Sequence, residues 1–405
     1  MNLGHRRFYR IDTMTDVLRP FLIHTDHVTT ACASSLNTMP VGPRTRYDIA
    51  REELTSMLVG EPGYRVNQIW EGLYRQAVEP TAMTNLPRSL RERLDHELPA
   101  ALSLAHESRS DNGDTVKWLW RMHDGALIET VLMHYDHRST VCVSSQAGCA
   151  MACGFCATGQ AGFERNLTTG EIVEQVIAAI RSSGDRRVSN VVFMGMGEPM
   201  ANYDRMWAAV ERLHDDVGLS ARHLTISTVG IVPGIRRLAG ERLPVNLAVS
   251  LHAANDQLRD ELVPPNRRYP LAALTRACEA YLEAKGRRLS FEWALISEVN
   301  DRPRDARELA GLALPLRAHV NLIPLNPTPG YAVAGSPRST VEAFRDQLQS
   351  LGVNATIREN RGTNIDAACG QLRAVHNKQR AATPVNLGAP PRSGMITEIS
   401  TGLTN

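Results

Sequence analysis

Three cysteines fall within eight residues of a 405-residue chain, as Cys149-Ala-Met-Ala-Cys153-Gly-Phe-Cys156. Thiolates are the soft ligands that iron–sulfur clusters take, and a loop with this spacing can wrap three corners of a cubane cluster while one iron stays open for another ligand. A structural zinc site normally takes four protein ligands, and no fourth Cys or His stands nearby at suitable spacing. The full set of seven, with Cys32, Cys142, Cys278 and Cys369, is odd and clustered, a poor disulfide framework that points to a reducing cytoplasm. Cys278 shares a helical pattern with Leu271, Leu274 and Tyr281 and reads as core. Cys32 receives no role. Taken alone, Cys142 reads as a strand residue and Cys369 as a core or capping residue, because a lone cysteine is among the most buried residue types. A second chemical signal is Met194-Gly195-Met196-Gly197-Glu198-Pro199. Its glycines would let the backbone approach a ligand, with a plain turn as the alternative.

The elements that must position these groups show as two patterns. Short apolar runs at 141–144, 191–196, 224–228, 247–251, 289–295 and 320–325 alternate with helical segments. That repetition predicts a parallel sheet with crossover helices, and six units suit an open partial barrel, with a doubly wound sheet as second choice. Thr168-x-x-Glu171 offers a capping box for a helix burying Ile172, Val173, Val176, Ile177 and Ile180. A hairpin is expected over 116–122 and 126–134, a final helix near 341–351, an extended piece near 355–358 and a short helix near 367–375. From 46 to about 100 the pattern is helical, with Leu54, Met57 and Leu58 in one segment and Val66, Ile69, Trp70, Leu73 and Tyr74 in the next. The domain reading is therefore an extension over 1–45, a helical accessory domain over 46–100, a core with its preceding hairpin over 101–380, and a loose tail over 381–405. Lys+Arg 45 against Asp+Glu 43 excludes an argument for nucleic-acid binding from net charge. Any such contact must be local, as at Arg358, Arg361, Arg373, Lys378 and Arg380. Only Lys117, Lys285 and Lys378 are lysines. No run reaches the roughly 18 apolar residues of a membrane span.

The CxxxCx(aromatic)C pattern of Cys149, Cys153, Phe155 and Cys156 resembles the radical S-adenosylmethionine (SAM) superfamily. The resemblance implies one 4Fe–4S cluster held by those cysteines, and SAM bound at its open iron and cleaved to a 5'-deoxyadenosyl radical. Gly197 and Glu198 match the family's GEP motif, the glutamate receiving SAM's ammonium. Closer agreement lies in Cys142-Val-Ser-Ser-Gln-Ala-Gly-Cys149, Arg165-Asn166-Leu167, Ser227-Thr-Val-Gly230, Ser250-Leu251-His252, Asn321-Leu-Ile-Pro-Leu-Asn326 and Arg361-Gly-x-x-Ile365-Asp366-x-Ala368-Cys369-Gly370-Gln371-Leu372. Over about 46–373 the chain resembles the RlmN family. The implied fold is a radical SAM partial (β/α)6 barrel with a small N-terminal helical accessory domain. The implied reaction is methylation of carbon 2 of adenosine 2503 in 23S rRNA and of adenosine 37 in certain tRNAs.

Carbon 2 of adenine is an electron-poor amidine carbon with no acidic hydrogen, so polar attack on a sulfonium methyl is closed to it. The resemblance implies a radical route using two SAM per turnover. Cys369 takes a methyl from the first, and the radical from the second converts it to a methylene radical that adds to the base. Glu129 is the implied general base, and Cys142 then releases the product by forming a transient disulfide with Cys369. Ser227, Ser250, Leu251, His252 and Asn326 are implied SAM contacts, with strand-end caps as their plain alternative. An electron donor such as a flavodoxin-type protein, RNA as partner, no membrane contact and a monomer complete the expectation. Two rivals remain: a Cfr-like methyltransferase acting on carbon 8 of the same rRNA adenosine, and a non-catalytic iron–sulfur or zinc RNA-binding protein.

Overall fold

A computed structural model describes residues 44–326, 328, 331, 333–359, 361–368 and 370–372. The extension before residue 44, Cys32, Cys369, Arg373, Lys378, Arg380 and the 381–405 tail lie outside the described residues. Strands run in chain order as β1 Leu102–Ser110, β2 Thr115–Met122, β3 Leu127–Tyr135, β4 Arg138–Cys142, β5 Gln146–Gly148, β6 Phe163–Asn166, β7 Val188–Phe193, β8 Leu224–Thr228, β9 Asn246–Ser250, β10 Leu289–Leu295, β11 His319–Pro324 and β12 Ala355–Ile357. Ten of them form one sheet in the order β1-β2-β3-β4-β7-β8-β9-β10-β11-β12, and β5 and β6 make a separate ribbon. From β4 to β12 every pairing is parallel. Between β1 and β4 every pairing is antiparallel.

The six alternating units of the sequence are thus present as β4 and β7 to β11, crossed by helices Thr169–Ser182, Tyr203–Asp215, Val232–Gly240, Leu271–Lys285 and Pro303–Ala313. These strands read as near-continuous apolar runs because both faces are covered. All seven residues of β10, which alternate between its two faces, are buried. The expected hairpin is β2 and β3, but a third antiparallel strand, β1, extends it. Its sequence Leu-Ser-Leu-Ala-His-Glu-Ser-Arg-Ser is mostly solvent-facing, so no apolar alternation announces it.

The helix Thr169–Ser182 starts as its capping box requires: Thr168 Oγ1 accepts the Glu171 N–H at 3.1 Å, and Glu171 Oε2 accepts the Thr168 N–H at 2.8 Å. Its buried Gln175 reaches the turn after β4, accepting the Ser144 N–H at 2.8 Å and donating to the Ser144 carbonyl at 3.0 Å. Replacing the capping hydroxyl (Thr168→Ala) is expected to cost about 1 kcal/mol, read as a downward shift of a few degrees in the thermal unfolding midpoint followed by circular dichroism.

Helices Arg51–Met57, Tyr64–Tyr74 and Arg88–Glu97 occupy the N-terminal segment and bury Leu54, Leu58, Val66, Ile69, Trp70, Leu73 and Tyr74. They pack on the barrel's helices. Trp70 Nε1 donates to Asp216 at 2.8 Å, and Asp48 accepts the Gly170 N–H at 2.6 Å. At the other end the chain departs from expectation. The 341–351 segment is helix Arg338–Ser350, but 361–372 holds, among its described residues, only a 3-10 turn at Thr363–Ile365. Gly362, Asp366 and Gly370 all take positive φ, which interrupts a helix there. Among the described residues no helix is long and apolar enough to cross a membrane.

Candidate active site

The cysteine loop leaves the C-terminal end of β4 through β5, and the β5–β6 ribbon closes its base. Cys149 N–H donates to the Gly162 carbonyl at 2.8 Å. Gly148, at φ +74, is obligatory in this closure, since a Cβ would stand 2.0 Å from the Gly162 oxygen. Gln146 ties the ribbon to the glycine-rich turn after β7, donating to Asn166 Oδ1 and accepting the Glu198 N–H, both at 2.8 Å. Arg165 grips Glu171 with two bonds, at 2.7 and 2.8 Å. The Arg165-Asn166 motif therefore fastens the ribbon to the capped helix.

The loop and the C-terminal strand ends enclose one cleft. Cys149, Cys153, Cys156, Gly197, Glu198, Ser227, Ser250, His252 and Asn326 all line it, with Glu292, Arg358 and Gly370. Leu251 does not. Its side chain lies in the core, and its backbone bonds to Glu292 and Arg259 at 3.0 Å each. Glu198 is buried, with one oxygen taking the Met200 N–H at 3.0 Å and the other the Val229 N–H at 2.8 Å. Burial raises its pKa to about 7, against the pull of those hydrogen bonds. Gly195 and Gly197 line the cleft and also allow close packing behind it. A Cβ would lie 2.6 Å from the Val143 carbonyl at the first and 2.5 Å from Gln146 Cβ at the second. His252 holds φ +57, and its Nδ1 accepts the Ala294 N–H at 3.0 Å, which leaves the proton on Nε2. Burial lowers its pKa to about 3, so the ring is neutral. Phe155, the aromatic of the cysteine motif, meets that ring edge-on at 4.8 Å.

A second cleft adjoins the first and shares Met194 and Arg358 with it. Val131, Met133, Cys142, Arg361, Ala367, Ala368 and Leu372 also line it. Cys142 ends β4 opposite Val131 of β3. Glu129 lies two residues from Val131 on the same strand face and is buried; it lines neither cleft. Lys117 Nζ stands 3.2 Å from Glu129 Oε1.

Sequence reasoning missed Arg259, Glu292 and Lys117. Glu292 leaves a signal, an acid in the middle of the apolar β10. It is buried in the first cleft, and its Oε1 accepts from Ser290 Oγ at 3.0 Å and Asn321 Nδ2 at 2.8 Å. Arg259 belongs to no motif and becomes visible only through the carbonyls it binds. Lys117 needs the strand register.

The sequence profile of the Radical SAM superfamily matches residues 143–310. A solved structure described as a radical SAM methyltransferase from Sphaerobacter thermophilus superimposes with a TM-score of 0.79 at 50% identity, covering 82% of this chain and all of that one. Two curated relatives carry the name "Probable dual-specificity RNA methyltransferase RlmN". The one from Salinispora tropica is 50% identical over 83% of this chain and 94% of its own length. The one from Chloroflexus aurantiacus is 52% identical over 82% and 94%.

The chain belongs to the RlmN family. It is therefore an enzyme of the radical SAM type, and an RlmN chain implies an iron–sulfur cluster and SAM. The residues present fit both. Three thiols line one cleft; burial raises the Cys153 pKa and pushes Cys149 up to about 12, so Cys149 and Cys153 ionise on binding a metal rather than before it. Among the described residues no three His, Cys, Asp or Glu side chains are gathered to hold a single ion, and no disulfide joins any two of the described cysteines. Beside the thiols, the neutral His252, the Ser227 and Ser250 hydroxyls and the Glu198 carboxylate give this RlmN cleft the mixed apolar and polar lining that an amino-acid nucleoside such as SAM requires.

Proposed function

We propose that this protein methylates carbon 2 of adenine in RNA, at adenosine 2503 of 23S rRNA and adenosine 37 of tRNAs, through a methylated cysteine and a transient protein–RNA crosslink. One observation carries the reading. Cys142 and the segment around Cys369, represented by Ala367, Ala368 and Leu372, line the same cleft, and that cleft opens beside the three thiols of the cysteine loop. The relatives' name, dual-specificity RNA methyltransferase, supports RNA as the substrate class.

Cys149, Cys153 and Cys156 would hold a 4Fe–4S cluster, and Gly197, Glu198, Ser227, Ser250, His252 and Asn326 the SAM beside it. Together these supply a 5'-deoxyadenosyl radical for one electron put in and later returned. The chain's own residues do the rest. Cys369 attacks the methyl of a first SAM, its sulfur–carbon bond forming as S-adenosylhomocysteine leaves. Loss of a hydrogen atom from that methyl, taken up as 5'-deoxyadenosine, gives a methylene radical that bonds to carbon 2. Glu129 takes the carbon 2 proton, and with return of the electron a neutral thioether joins RNA to Cys369. The Cys142 thiolate attacks the Cys369 sulfur; the S–S bond forms, the carbon–sulfur bond breaks, and the released carbanion takes a proton to become the methyl group. A cellular thiol reduces the disulfide. A flavodoxin-type donor, a monomeric enzyme and a cytoplasmic setting go with this reading. The base must leave its stack to enter the cleft, which suits loops and single strands.

Cluster-loaded, reduced protein is expected to convert adenosine in 23S rRNA and in tRNA to 2-methyladenosine, identified by mass spectrometry of the digested nucleosides. Finding 8-methyladenosine instead would move the reading to carbon 8. Failure to release 5'-deoxyadenosine from SAM would leave a binding protein.

A further inference from the structure

Two buried charges face each other beside the second cleft, and one of them belongs to no motif. Lys117 lies on β2 directly opposite Val131, while Glu129 pairs with Leu119. The two side chains are therefore diagonal neighbours on one face of the antiparallel sheet, within reach of a long side chain. Only 4% of Lys117 and 2% of Glu129 is exposed, and Nζ stands 3.2 Å from Oε1. Burying a charge is costly unless an opposite charge and further hydrogen bonds satisfy it. Lys117 has a second such bond, donating to the Asp366 carbonyl at 3.2 Å. Asp366 stands three residues before Cys369 in a loop that Arg361 and Gly362 also fasten to the hairpin. Arg361 Nη1 donates to the His134 carbonyl at 3.0 Å, and the Gly362 N–H to Asp111 Oδ2 at 3.1 Å. One ammonium thus touches both the carboxylate and the segment leading to the thiol. Arginine otherwise supplies nearly all the cations of this chain. A lysine is a compact point charge with rotatable donors, able to serve two acceptors in different directions.

We infer that Lys117 is a positioning residue for proton removal: it holds the Glu129 carboxylate ionised and aimed, and sets it in register with the loop that carries Cys369. The inference rests on the carbon 2 reading above. In it the proton passes from carbon 2 to Glu129, and Lys117 keeps its own proton throughout.

The test uses the full-length, cluster-loaded enzyme with RNA carrying adenine either unlabelled or deuterated at carbon 2. K117M is expected to methylate Cys369 and to form 5'-deoxyadenosine as the unaltered enzyme does, while 2-methyladenosine formation falls roughly 100-fold, the scale of a lost general base. A several-fold deuterium isotope effect on product, absent from the unaltered enzyme, should appear, and K117R should recover much of the rate. Because the residue acts through Glu129, K117M should cost nothing further in an E129Q background. A fall without an isotope effect, or losses that multiply in the double variant, would overturn the inference. Should K117M not fold, the uncharged pair K117M/E129Q decides alone: a rate equal to that of E129Q supports the inference, and a lower one overturns it. If the unaltered enzyme makes no 2-methyladenosine, the carbon 2 reading falls and this inference with it; if it does, the variants judge Lys117 separately.

Discussion

Cys142→Ala enzyme, purified after expression with its cluster intact, is expected to carry RNA covalently bound through Cys369. In the proposed reaction, methyl capture, radical formation and addition to the base make no use of the Cys142 sulfur, so they should proceed to the thioether and stop. The side chain ends β4 and lines the cleft shared with Ala368, where its removal deletes one buried sulfur at a packing cost of about 1 kcal/mol. The fold should therefore survive. The adduct should show as a nuclease-sensitive upward shift on a denaturing gel, and mass spectrometry should place a nucleotide remnant on Cys369. Product formation should drop from many turnovers to one at most. Cys369→Ala should form no adduct, because the methyl has nowhere to be stored. Repeated turnover by the Cys142 variant, or a cluster-loaded variant free of RNA, would end the assignment.

The largest structural effect is expected at Arg259. Its guanidinium is buried and donates to the Leu251 carbonyl at 3.0 Å, Asn266 Oδ1 at 2.7 Å, the Val229 carbonyl at 2.6 Å and the Ser250 carbonyl at 3.3 Å. Those carbonyls lie at the C-terminal ends of β8 and β9, where Ser227, Ser250 and His252 line the cleft. Burial lowers its pKa to about 10, so the group stays charged at neutral pH. Arg259→Met would leave three carbonyls without this donor inside the protein, at a cost of roughly 3 to 5 kcal/mol. A melting temperature lower by about 10 °C and weakened SAM binding by calorimetry should follow together. Arg259→Lys should restore little, because one ammonium cannot reach all four acceptors that the guanidinium fork serves. A variant that melts within a degree or two of the parent and binds SAM normally would contradict this account.

The parts legible in the sequence are those governed by local periodicity or by donor chemistry. Thr168 and Glu171 mark a helix start because a cap is a four-residue device. The β7 to β11 runs stand out because strands of a parallel sheet flanked by helices read as near-continuous apolar runs, interrupted here by polar residues such as Glu292. Cys149, Cys153 and Cys156 declare themselves by spacing. β1 escapes notice because its side chains mostly face solvent. The helix expected near 367–375 is absent from the described part of that segment: Gly370 inside it takes positive φ, as does Asp366 just before it, and the glycine is a breaker that the apolar spacing outweighs in the sequence. Gly195 and Gly197 were legible as glycines, but their close packing against the turn after β4 was not. Lys117 and Arg259 meet partners on other elements, and a register or a distant carbonyl leaves no trace in linear order. Charge patterning marks only the modest cluster at Arg358, Arg361, Arg373, Lys378 and Arg380, the last three of which lie outside the described residues.

The docking of the 361–368 loop onto the β1–β3 hairpin bears on how the protein is made. Asn364 meets Ser110 across 254 positions and the Gly362 N–H meets Asp111 across 251, so this part of the site forms among the latest contacts during synthesis. The strands and the cysteine loop that support radical chemistry can be complete while residues 361–372 are still being added. A nascent or truncated chain ending near β12 would hold its cluster ligands without the thiol proposed as the radical's target. Closing so wide a loop is slow compared with pairing neighbouring strands, and in the order of translation Cys369, the sulfur proposed to receive the methyl group, arrives last of the seven cysteines.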